Sequence, residues 1–93
     1  MTLEEIYREV IGICRKYNAT KVVLYGSRAK QTYRPESDID IAVSVVVDIG
    51  ALQEEMENIP TLYTVDVLSL DECKNNLWLE DIREYGREIY SAV

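Results

Sequence analysis

Asp38 and Asp40 stand two residues apart in Asp38-Ile39-Asp40-Ile41-Ala42-Val43, and in an extended chain alternate side chains share a face. Their Cα atoms then lie about 6.5–7 Å apart. Two ionised carboxylates that close repel unless a divalent cation lies between them, and an all-oxygen donor set favours Mg²⁺ or Mn²⁺ over Zn²⁺. The plainer alternative is a strand with one solvated face. Upstream, Gly26-Ser27 follows the apolar run Val22-Val23-Leu24-Tyr25. A glycine there lets the backbone approach a ligand, free N–H groups at a helix start favour anions, and the Ser27 hydroxyl can donate to a phosphate oxygen. Arg28 and Lys30 add positive charge beside it. The alternative is an ordinary turn capped by serine. A third carboxylate, Asp66, interrupts the apolar Val65-Asp66-Val67, where a stable fold would prefer an aliphatic residue. The chain has no histidine, so acid–base work falls to carboxylates, hydroxyls, thiols or a bound metal.

The elements that must position these residues are legible from periodicity. Thr2 with Glu5 forms a capping box, and Leu3, Ile6, Val10, Ile13, Cys14 and Tyr17 follow helical spacing, predicting a helix over 3–17. The β-branched and aromatic segment 21–25 predicts a buried strand ending at Gly26. Residues 28–31 can make one helical turn, and 32–37 have the polarity and proline of a surface loop. The loop feeds a second strand over 38–43. Asp48 caps a second helix with Ile49, Leu52 and Met56 on one side, closed by Asn58-Ile59-Pro60. A third strand is expected over 62–68, then a helical stretch from Leu70 through Ile82, ended by Gly86. Residues 87–90 are an edge strand or an ordered tail. This order predicts a small α/β domain, with a three- to four-stranded sheet and helices packed on one face, its strand directions left open.

With 93 residues, 47% of them apolar, the chain is expected to form a single domain over 1–93 with a modest core. A formal charge of -7 repels phosphate backbones and anionic lipid, which argues against direct nucleic-acid binding. The longest uncharged apolar-rich run, Ile41 to Val47, falls far short of the ~20 residues of a membrane helix. The charged N-terminal segment lacks the apolar block of a signal peptide. Cys14 and Cys73 are too few for a disulfide framework and are expected as reduced thiols in a cytoplasmic protein, each on a helix, with no thiol chemistry. Trp78 is expected to pack its helix onto the sheet, with a partner surface as the alternative, and Tyr7, Tyr17 and Tyr25 to belong to the core. Tyr33, in the loop, could touch a nucleotide base.

Gly26-Ser27, ten intervening residues, Asp38-Ile39-Asp40 and a third carboxylate on a later strand together resemble the nucleotidyltransferase superfamily with a DNA polymerase β-like palm. Leu24-Tyr25-Gly26-Ser27-Arg28-Ala29 and Ser37-Asp38-Ile39-Asp40-Ile41-Ala42-Val43 resemble the minimal nucleotidyltransferases of prokaryotes, usually encoded beside a HEPN-domain protein. The ending Tyr85-Gly86-Arg87-Glu88-Ile89-Tyr90 is similar to that family's closing Gly-x-x-aliphatic-Tyr, so the similarity covers nearly the whole chain. The resemblance implies a polymerase β palm-like fold, with a three- to four-stranded mixed sheet and helices on one face, and metal-dependent transfer of a nucleoside monophosphate, AMP from ATP, to a hydroxyl, with pyrophosphate leaving. It implies that Asp38 and Asp40 bridge two Mg²⁺ ions about 3.5–4 Å apart, with Mn²⁺ as a substitute. Asp66 would complete the metal nearest the nucleophile, Gly26 and Ser27 would hold the β- and γ-phosphates, and Arg28 would offset developing charge. The implied partner is a HEPN ribonuclease toxin, modified on a tyrosine and neutralised in a hetero-oligomer. The alternative is a non-catalytic antitoxin that masks its partner by contact alone.

Overall fold

The structure, a computed structural model, describes residues 2–30, 34 and 37–92. Its elements run α1 (Leu3–Lys16), β1 (Lys21–Tyr25), α2 (Ser27–Lys30), β2 (Ile39–Ser44), α3 (Ile49–Glu57), β3 (Val65–Ser69), α4 (Asn76–Tyr85) and β4 (Arg87–Ser91). The four strands form one sheet in the order β3-β2-β1-β4. β1 is antiparallel to both β2 and β4, whereas β2 and β3 are parallel and joined through α3. This is the expected mixed sheet, and the C-terminal residues are its edge strand.

α1 starts where the capping box puts it. The Glu5 N–H donates to Thr2 Oγ1 at 3.2 Å, and the Thr2 N–H donates to Glu5 Oε1 at 3.2 Å. Its stripe Ile6, Val10 and Cys14 is fully buried, and burial pushes the Cys14 thiol up to about 12. α3 is capped by Asp48, whose Oδ1 accepts from the Ala51 N–H at 3.1 Å. α4 begins later than periodicity suggests. Asn75 Oδ1 accepts from the N–H groups of Leu77 and Trp78 at 3.0 and 3.3 Å, so the helix is nucleated there, and Cys73 lies in the turn before it.

Strand alternation divides the core in two. Val22 and Leu24 of β1, Ile39, Ile41 and Val43 of β2, and Val65 of β3 pack with the buried stripes of α1 and α3. Each such side chain contributes about 1.5–3 kcal/mol by leaving water. The opposite face carries Val23 and Ala42 with Ile82 of α4, flanked by Tyr25, Leu68 and Leu70. The expectation of helices on one face therefore holds for α1 and α3 and is corrected for α4. Val23 and Ala42 make a second apolar strip, too narrow for two helices and wide enough for one. Gly86 lets the chain turn from α4 into β4 against this strip, since a Cβ there would meet Val23 Cγ1 at 2.7 Å and collide with the Ile82 carbonyl. No helix among the described residues is long and apolar enough to cross a membrane.

Candidate active site

The register across three strands places Tyr25 opposite Asp40 and Asp40 opposite Asp66. Because these residues share the parity of Val23, Ala42 and Leu68, which pair in the same way, they form a polar row alongside an apolar one on the face that α4 partly covers. Tyr25, Asp40, Asp66, Val67, Leu68 and Trp78 line one hollow of about 420 Å³. Asp66, expected as the third carboxylate, thus stands opposite Asp40 on the neighbouring strand. Asp38 precedes β2 with the same parity as Asp40 and lies close enough to act on it electrostatically.

Electrostatics mark Asp40 as the strained member of the set. Its carboxyl is held above the usual carboxylate range, first by burial and then by the charges of Asp66 and Asp38. Tyr25 is pushed up to about 12, again by burial first and then by Asp40 and Asp66. Among the described residues none of the three carboxylates makes an ion pair. Nor, among them, do any three His, Cys, Asp or Glu side chains stand close enough to hold a metal ion as they are. The donor chemistry still suits a hard cation: the ligands offered are oxygens only, and their mutual repulsion is what such an ion relieves.

Gly26 joins the two halves of the site. Its φ is +72°, and a Cβ there would stand 2.7 Å from Asp40 Oδ2. The glycine is needed twice, for a left-handed turn out of β1 and for the space the Asp40 carboxylate occupies. Ser27 opens the single turn of α2, beside this contact.

The basic residues beside Gly26-Ser27 both have partners within the protein. Arg28 is 5% exposed, donates from Nη2 to the Ser37 carbonyl at 2.8 Å, and stacks 5.0 Å from the centroid of the Tyr63 ring. It braces the backbone just before Asp38. Lys30 pairs with Asp81 of α4 at 2.6 Å and lies 5.1 Å from the Tyr85 ring centroid, linking α2 to α4. Tyr33 lies outside the described residues.

Two lining residues escaped the sequence reading. Tyr25 belongs to the hollow and not to the main core, unlike Tyr7 and Tyr17, which pack against the latter. Strand parity with Val23 is the signal that could have found it. Trp78 is 51% exposed and lines the hollow from the first turn of α4, where no spacing rule distinguishes it from a core anchor.

A family model described as "Polymerase beta, Nucleotidyltransferase" matches residues 8–92. No curated protein matches the chain. Among solved structures, a toxin–antitoxin crystallised with AMP-PNP is similar at a TM-score of 0.74 and 22% identity, over 91% of this chain and 73% of that one. A variant of the toxin–antitoxin MntA-HpeT gives a TM-score of 0.72 at 19% identity, over 91% and 73%. A presumed nucleotidyltransferase from Sulfolobus solfataricus gives 0.57 at 19%, over 94% and 78%. At these identities the likeness is one of fold.

Proposed function

The chain belongs to the polymerase beta nucleotidyltransferase family, and from that premise we propose that it moves AMP from ATP to a hydroxyl of a toxin partner and thereby acts as an antitoxin. The observation that carries the reading is the alignment of Asp40 and Asp66 on neighbouring parallel strands, in one hollow and against Gly26. The partner is a HEPN ribonuclease and the acceptor a tyrosine, as the minimal nucleotidyltransferase resemblance implies. The fold likeness to toxin–antitoxin structures, one of them with AMP-PNP, supports the same partner class and nucleotide.

Asp38, Asp40 and Asp66 would hold Mg²⁺, or Mn²⁺ in its place. Bound there, the cation would supply charge to offset the triphosphate and to make the acceptor hydroxyl easier to deprotonate. Asp66, the exposed member of the row, takes the acceptor's proton, a task for a carboxylate in a chain with no histidine. Gly26 and Ser27 face the β- and γ-phosphates, aided by the backbone of α2. Arg28, which donates to the Ser37 carbonyl, fixes the approach to Asp38 and offsets developing charge from there. The acceptor arrives on the partner.

Incubation with Mg²⁺, labelled ATP and the product of the adjacent gene tests the reading. Label should pass to the partner, and Asp38→Asn and Asp40→Asn should each abolish the transfer. Equally tight complexes from all three proteins, none of them labelled, would instead establish an antitoxin that masks by contact.

A further inference from the structure

β3 is an edge strand, so along one side its peptide groups have no strand to pair with. In a parallel ladder alternate residues turn their N–H and C=O to the same side. Thr64, whose carbonyl accepts from the Ile39 N–H at 2.8 Å, and Leu70, whose N–H donates to the Val43 carbonyl at 2.8 Å, both face β2. Val65 and Val67, of the other parity, turn theirs outward. One side chain takes both. Gln53 Nε2 donates to the Val65 carbonyl at 3.1 Å, and Gln53 Oε1 accepts from the Val67 N–H at 3.0 Å.

The primary amide of Gln53 thus does for this edge what a peptide group of a further strand would do. The residue between the two bonds is Asp66. The bonded groups belong to the two peptide planes on either side of its Cα, and the relative rotation of those planes is its φ and ψ. Pinning both planes fixes the direction of the Asp66 Cβ, and with it the approach of that exposed carboxylate to Asp40. Gln53 itself is half-buried on α3, which is anchored in the core by Leu52 and Met56. The bracket therefore ties Asp66 to a helix anchored in the core.

We infer that Gln53 is a positioning residue for transfer, holding Asp66 in line without touching the reactants; this rests on the role given to Asp66 above. Gln53→Met keeps the length and removes both hydrogen bonds. Gln53→Glu keeps an acceptor for Val67 and loses the donor to Val65. The Val67 amide should exchange with solvent at least about tenfold faster in Gln53→Met, while the Ala42 amide on β2, which faces β1, keeps its rate. In the same variant kcat should fall by about tenfold with KM for ATP unchanged, because the nucleotide is held from Gly26 and Ser27. Gln53→Glu should keep Val67 protected and lose less of kcat, and it carries the test alone if Gln53→Met does not fold. An active wild type whose variants retain kcat, or whose loss appears in KM, would overturn the inference, as would an unchanged Val67 exchange rate. A wild type inert toward every acceptor but showing the exchange pattern would overturn the transfer reading and uphold the bracket on Asp66.

Discussion

Gly26 shows how one residue can be fixed by two demands at once. A side chain there would need a left-handed backbone, at about 1–2 kcal/mol, and its Cβ would sit 2.7 Å from Asp40 Oδ2. Gly26→Ala should therefore lower stability by about that amount in urea unfolding and, in addition, displace the Asp40 carboxylate. Transfer activity should drop further than stability does; a variant that loses stability alone would show that Asp40 has room to spare. Arg28 likewise answers two demands. A guanidinium next to Gly-Ser invites a phosphate role, and its hydrogen bond to the Ser37 carbonyl and its place over Tyr63 add a tie to the backbone just before Asp38.

Among the elements, α4 has a double assignment. Its Ile82 closes the second apolar strip while its first turn offers Trp78 to the hollow, and both depend on where the helix starts. Asn75→Ala removes the acceptor for the Leu77 and Trp78 N–H groups and should cost about 1 kcal/mol. Trp78 is the chain's single tryptophan, so its emission reads that first turn. Addition of Mg²⁺ and ATP should change the emission of the wild type, and Asn75→Ala should shift the nucleotide-free spectrum toward that of a more solvated indole. An identical spectrum in the variant would mean that the cap does not set the position of Trp78.

For the molecule as a whole, the site is held at the expense of stability. Asp40 ionises less readily in the folded chain than in the unfolded one, because burial and then Asp66 and Asp38 raise its pKa. Its contribution is consequently complete below its unfolded value and is lost as the pH rises through its folded value. Asp40→Asn removes that loss. With a chelator present, the variant should melt at a higher temperature than the wild type at neutral pH, and the gap should narrow as the pH falls into the carboxylate range. A gap of constant size would mean that packing, and not charge, is responsible. A functional carboxylate that weakens its own fold is the expected signature of a site maintained for ligand binding.

What the sequence determined by itself was local. Periodicity gave α1, β1, β2 and α3 nearly to the residue, and Gly26-Ser27 was correctly set at the exit of β1. These follow from through-chain geometry, which neighbouring residues dictate. Only the tertiary structure decided that β3 lies parallel to β2 in the register that sets Asp66 beside Asp40. The same holds for α4 crossing to the far face, for Trp78 and Tyr25 meeting in the hollow, and for Arg28 and Gln53 bonding to backbone distant in sequence. Strand register and burial are settled by packing between segments that have no fixed spacing along the chain, and no periodicity encodes them.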